Sequence, residues 1–221
     1  MTPILYLHGF ASGPSSNKAL HFRQALERAG PQVVIPDLAA GDFEHLTITG
    51  QLGVIGRAAA GAPVSLIGSS MGGYLAALYA ARHLEVERLV LLAPAFAFAR
   101  RWTEYLGSEQ VDEWRRTGTM EVFHYADSRN RRLSWELMED AAGYEDYPDV
   151  RQPTLIFHGI QDDVVPPAYS RHFAAIHPNA RLEVLDSGHE LLTVLDLMAR
   201  ATLEFLAAGQ PAFVPPRGPM L

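Results

Sequence analysis

Val64-Ser65-Leu66-Ile67-Gly68-Ser69-Ser70-Met71-Gly72-Gly73 runs from an apolar stretch, through a turn of glycines and serines, into a second apolar stretch. Residues 64–67 are short and almost wholly apolar, as befits a strand covered on both faces, which is how strands of a parallel sheet sit beneath helices. Residues 71–82 read as a helix. The junction Gly68-Ser69-Ser70-Met71-Gly72 fits G-x-S-x-G in the strand–turn–helix context that a nucleophile elbow requires. In so sharp a turn a serine takes a strained backbone conformation that lifts its hydroxyl above the sheet. Side chains at the flanking glycines would collide with neighbouring backbone. Ser70 is therefore the candidate nucleophile, and the plain alternative is a tight glycine turn with no chemistry.

Outward from this junction the same rhythm repeats. Apolar runs at 4–7, 32–35, 88–92, 154–157 and 181–185 read as further strands, and 16–29, 46–60, 167–176 and 191–206 as helices. This alternation predicts an α/β fold, a mostly parallel, doubly wound sheet with helices on both faces and right-handed crossovers. The chain is expected to form one domain over residues 1–208. Residues 95–149 are too long for a simple crossover and hold all three tryptophans, Trp102, Trp114 and Trp135, so they read as a small cap insertion. Within it Leu133 and Leu137 fit one helical face, while Met120, Val122 and His124 alternate with Glu121, Phe123 and Tyr125 as a short strand would. The cap is either a structural insertion or a substrate-shaping lid, since long ordered insertions are often functional. Residues 209–221 contain Pro211, Pro215, Pro216 and Pro219 and read as a Pro-rich tail that cannot prolong the preceding helix.

Composition narrows the chemistry. Of 221 residues 48% are hydrophobic and 19% charged, as in ordinary globular proteins, and a net charge of −7 opposes non-specific adhesion to nucleic acid or anionic membrane. The absence of cysteine removes thiolate metal sites, iron–sulfur clusters and a cysteine nucleophile. Met1-Thr2-Pro3 leads into Ile4-Leu5-Tyr6-Leu7 without a basic n-region or a long apolar core, and no run approaches the ~20 apolar residues of a membrane span. The expectation is a cytoplasmic protein.

A serine hydroxyl needs a base, and the base needs a carboxylate to hold it. Asp186-Ser187-Gly188-His189 follows the last expected strand, which places His189 on a loop at the same carboxyl edge as Ser70. His158-Gly159-Ile160-Gln161-Asp162-Asp163 follows the strand before it. Asp162 is the first choice for the acid and Asp163 the second, the latter being an alternative helix cap. Asp186 is a weaker rival. Backbone amides must also stabilise an oxyanion, and those of Met71, after the nucleophile, and Phe10, in the His8-Gly9-Phe10 loop, are the candidates.

Together, Tyr6-Leu7-His8-Gly9-Phe10, Gly68-Ser69-Ser70-Met71-Gly72-Gly73, His158-Gly159 to Asp162 with Val165-Pro166, and Gly188-His189 resemble the α/β-hydrolase superfamily. The opening Leu7-His8-Gly9-Phe10-Ala11-Ser12-Gly13-Pro14-Ser15-Ser16-Asn17-Lys18 looks like that of compact bacterial carboxylesterases and thioesterases. The resemblance implies strand order 2-1-3-4-5-6 for the strands named above, no added antiparallel strands at the start, and no metal or organic cofactor. It implies a serine hydrolase that cleaves short to medium acyl esters through an acyl-enzyme of Ser70, with His189 as base and Asp162 as acid. A thioesterase or acyltransferase with the same residues is the alternative, and a catalytically silent binding protein is the third reading. Phe96, Phe98, Trp102 and Tyr105 are candidates for an acyl pocket or for plain core. Lys18, Arg100 and Arg101 read as solvated surface charge in preference to recognition of an acidic group. The cap or the tail is the candidate homodimer contact.

Overall fold

The computed structural model describes residues 2–208, so the tail expected over 209–221 lies outside the described residues. Six strands form one parallel sheet: β1 (Ile4–Leu7), β2 (Val33–Val34), β3 (Val64–Ser69), β4 (Val86–Leu92), β7 (Thr154–Gly159) and β8 (Ala180–Leu185). Their order is β2-β1-β3-β4-β7-β8, which is the order the resemblance implied. Helices α1 (Asn17–Glu27), α2 (Ile48–Ala59), α3 (Met71–Ala80), α6 (Ala168–Ile176) and α7 (Leu195–Ala207) connect or follow the strands.

The period-2 alternation of each strand divides the core. Ile4, Tyr6, Ile67, Val90, Leu92, Leu155 and Phe157 face α1 and α7, packing on Phe22, Leu26 and Met198. Leu5, Leu7, Leu66, Leu89, Leu91 and Ile156 face the other way, onto α2, α3 and α6. Every residue of α3 is buried, so this central helix shows no polar stripe. In α2, by contrast, Ile48, Gln51, Ile55 and Ala59 form the inward row at helical spacing, and Thr47 caps the helix by accepting the Gly50 amide at 2.9 Å.

Between β4 and β7 the chain forms α4 (Phe98–Thr117), the antiparallel pair β5 (Thr119–His124) and β6 (Arg129–Ser134), and α5 (Glu136–Ala141). Gly107, at φ 75° and ψ 164°, breaks α4 into two helical pieces. The expected short strand is β5, but the helical face through Leu133 and Leu137 is not one helix: Leu133 lies in β6 and Leu137 in α5. Both are fully buried, because the hairpin and α5 turn their apolar sides to one cluster. The Trp114 indole donates to the Leu133 carbonyl at 3.1 Å and meets Trp135 edge-on, so the tryptophans bind the insertion to itself. It is also tied to the body: the Tyr125 amide donates to the Ala11 carbonyl at 2.8 Å and the Ser134 amide to the Glu44 carbonyl at 2.7 Å.

Candidate active site

The β3–α3 junction has the conformation its glycines allow. Ser70 sits at φ 53° and ψ −117°, outside the ordinary regions for an L-residue. A Cβ on Gly68 would lie 2.2 Å from the Gly72 carbonyl oxygen, and one on Gly72 would lie 2.2 Å from that of Leu7. The turn is held from the side by the Ser70 amide, which donates to the Leu92 carbonyl at 2.8 Å, and by the Ala95 amide, which donates to Ser70 O at 3.0 Å.

Three expected residues meet at the carboxyl edge of the sheet. His189 Nε2 is 3.1 Å from Ser70 Oγ, and His189 Nδ1 is 2.8 Å from Asp162 Oδ2. Of the two rival carboxylates, Asp163 is exposed and caps nothing, since α6 begins beyond Pro167. Asp186 accepts from Gln161 Nε2 at 2.6 Å, away from His189. Burial pushes the Asp162 carboxyl up, but the nearby His158 N–H, the hydrogen bond and charge of His189 and the Val165 amide outweigh it and hold the group well below the usual carboxylate range.

The amides of Phe10 and Met71 make no hydrogen bond among the described residues. The first belongs to a peptide unit that is fixed from behind. His8 Nε2 accepts the Leu38 amide at 3.2 Å, so its Nδ1 carries the proton and donates to the Gly9 carbonyl at 3.0 Å. Gly9 C=O and Phe10 N–H share one peptide plane, and holding the first orients the second. Burial, countered in part by that Gly9 contact, lowers the His8 pKa and keeps the ring neutral.

Two groups depart from expectation. Lys18 is not solvated surface charge: it is 8% exposed and donates to Ser69 Oγ at 3.1 Å, directly beside the nucleophile. Burial lowers its pKa, while Glu190 and Asp162 act to raise it. The sequence holds only a hint of its place: Lys18, Phe22 and Leu26 stand at i, i+4 and i+8, the row that α1 turns inward. His158, fully buried and 3.1 Å from Asp162 Oδ2, has no counterpart among the expected site residues. Its signal was a polar residue continuing an otherwise buried strand.

The aromatic candidates separate. Phe96 stacks on Phe173 at 4.3 Å within the core, and Tyr105 is 87% exposed. Trp102 instead meets the Phe10 ring edge-on at 4.9 Å, and Phe10 also packs on Phe43 at 5.6 Å. Among the described residues no cluster of His, Asp or Glu is suited to hold a metal, and no helix is long and apolar enough to cross a membrane.

The fold has solved counterparts. A protein from Agrobacterium vitis S4 classed as a hydrolase is 25% identical, with a TM-score of 0.79 over 92% of this chain and 88% of its own. The mouse α/β-hydrolase domain-containing protein 10 is 18% identical, at 0.79 over 92% and 89%. Est1E from Butyrivibrio proteoclasticus, solved with ferulic acid bound, is 21% identical, at 0.78 over 93% and 88%. No curated protein matches in sequence. The family model described as "Uncharacterised protein family (UPF0227)" matches residues 3–206, and the chain, an α/β hydrolase in fold, belongs to that family.

Proposed function

We propose that the protein is a serine hydrolase that cleaves carboxylic esters of short to medium acyl groups through an acyl-enzyme on Ser70. One observation carries this reading: the unbroken relay from Ser70 Oγ to His189 to Asp162, at 3.1 and 2.8 Å. His189 Nε2 takes the Ser70 proton as Oγ attacks the acyl carbonyl, and Asp162 fixes the tautomer that leaves Nε2 free to do so. The negative charge that develops on the carbonyl oxygen is met by the Phe10 and Met71 amides, which have no competing acceptor among the described residues. The alcohol leaves with the proton from His189. Water, deprotonated by the same ring, then releases the acid and restores Ser70. Phe10 and Trp102 offer an apolar wall of limited extent for the acyl chain.

The test is hydrolysis of p-nitrophenyl esters from acetate to palmitate by the native protein and by Ser70→Ala. The expected result is turnover that favours the shorter chains and falls by at least about 10³-fold in the variant. A folded native protein inert on every ester, but active on acyl thioesters and dependent on Ser70, would replace esterase by thioesterase action. Equal rates in both proteins would remove Ser70 from the chemistry.

A further inference from the structure

His158 stands near the end of β7 with its side chain wholly enclosed. Its Nε2 is 2.7 Å from the Val165 carbonyl oxygen, and a carbonyl only accepts, so Nε2 carries a hydrogen. The same nitrogen is 3.1 Å from Asp162 Oδ2. On the far side of the ring, Nδ1 is 2.7 Å from the hydroxyl of Ser170, which α6 also buries completely.

These contacts bring a second ring against the carboxylate of Asp162. Asp162 Oδ1 accepts the amides of Val164 at 3.0 Å and Val165 at 2.7 Å, while Oδ2 faces His189 at 2.8 Å and His158 at 3.1 Å. An ionised carboxylate has about four acceptor positions; the two amides and His189 fill three, and the fourth faces a His158 Nε2–H whose nearer partner is the Val165 carbonyl, at 2.7 against 3.1 Å. Two imidazoles therefore border one oxygen, His189 hydrogen-bonded to it and reaching the nucleophile, His158 on the side away from the nucleophile.

We propose that His158, itself held by Ser170, is a positioning residue that locks the Asp162 carboxylate toward His189 and draws off part of its charge, setting how strongly His189 holds its proton. This rests on the assignment of Ser70, His189 and Asp162 as nucleophile, base and acid. The same contacts would arise if His158 only packed β7 against α6, and the two roles differ in what they do to proton affinity. With the His158 N–H removed, Oδ2 is left to His189 alone, and the imidazolium form of His189 is better stabilised. Its proton then leaves at higher pH, and the acid limb of Ser70 reactivity moves upward. Lys18 of α1 and Arg101 of α4 act on Asp162, and Glu190, next to His189, acts on Lys18; all three stay in place in every variant below.

The experiment follows the rate at which a fluorophosphonate labels Ser70, from about pH 5 to about pH 9, in native protein, His158→Leu, His158→Gln and Ser170→Ala. Gln keeps an N–H near the position of Nε2, and Leu keeps none. The expected result for Leu is an acid limb displaced upward by about one unit, which is about a tenfold slower reaction on the acid side. Gln should restore most of the native limb, and Ser170→Ala should shift it part of the way even if Leu fails to fold. Titration of His189 followed by NMR in the same proteins reads this displacement without any reagent at Ser70. An unlabelled native Ser70 therefore counts against the nucleophile assignment, while His158 is still tested. Native and variant limbs that superimpose, in labelling and in the His189 titration, would overturn the proposal and leave His158 as packing.

Discussion

Gly72 shows how a single hydrogen atom fixes the site. In a helix interior Ala is preferred over Gly by about 1 kcal/mol, so propensity alone would place alanine at this second residue of α3. The Cβ would stand 2.2 Å from the Leu7 carbonyl oxygen and 2.5 Å from that of His8, both backbone atoms of the strand and loop that carry Phe10. Neither can move without displacing the elbow or the Phe10 amide. Gly72→Ala is therefore expected to destabilise the protein by about 3 kcal/mol or more, in the upper range of overpacking effects, and to abolish labelling of Ser70. Gly61 is the control: its φ of 67° strains any side chain, but nothing lies within 4 Å of its Cβ position. Gly61→Ala should cost only about 1 kcal/mol, the penalty of the left-handed region itself, and leave labelling intact. Urea titrations of the two variants check the pair, and equal losses would mean that close approach does not decide the matter. Ser70, His189 and Asp162 were legible as candidates because each follows a strand at one edge of the sheet, and only the acid had rivals there, Asp163 and Asp186. His158 and Lys18 were not, because their importance depends on burial. A His that continues a strand and a Lys on an apolar helical row look ordinary until the neighbouring layer is known.

The elements of the sheet and those of the insertion differ in how plainly they were written. Strands β1, β3, β4 and β7 are buried along nearly their whole length, so composition alone marks them. In α4 only Phe98, Val111 and Trp114 are fully buried among charged neighbours, which leaves too sparse a stripe to read, and Gly107 interrupts its period. β6 begins Arg129-Asn130-Arg131-Arg132 and buries only its last two residues, so it owes its strand form to pairing with β5. What the pattern leaves unstated, Trp114 supplies. Its indole is enclosed, donates to the Leu133 carbonyl and touches Trp102 and Trp135, thereby joining α4 to the hairpin. Trp114→Ala should destabilise the fold by about 3–5 kcal/mol, as for other large core aromatics. Tyr105→Ala, on the exposed side of the same helix, should fall within about 0.5 kcal/mol of native. Chemical denaturation distinguishes these outcomes, and a small effect at Trp114 would show that the insertion does not unfold with the sheet.

For the whole molecule, the layers around the mouth are joined by two neutral histidines. His8 holds the loop after β1 to the segment before α2 through the Leu38 amide. His124, at the end of β5, accepts the Asp127 amide on Nδ1 at 3.2 Å and packs edge-on against Phe43. Burial lowers the pKa of each, and although Asp37 acts to raise His8 and Asp127 to raise His124, the net direction is down in both. In the unfolded chain both titrate near about 6.5. Below that value the unfolded state binds more protons than the folded one, so stability falls as pH drops from about 6.5 toward the lowered folded values. Asp162 acts in a separate window: its folded pKa is depressed, so its contribution persists down to about pH 3.9 and is lost only as pH falls further toward the folded value. Melting temperature is thus expected to be lower at about pH 5 than at about pH 7.5. In the double variant His8→Gln, His124→Asn, whose amide oxygens can still accept Leu38 N–H and Asp127 N–H but do not titrate, the difference between the two pH values should shrink. A variant as acid-sensitive as the native protein would move the origin of that sensitivity away from the mouth.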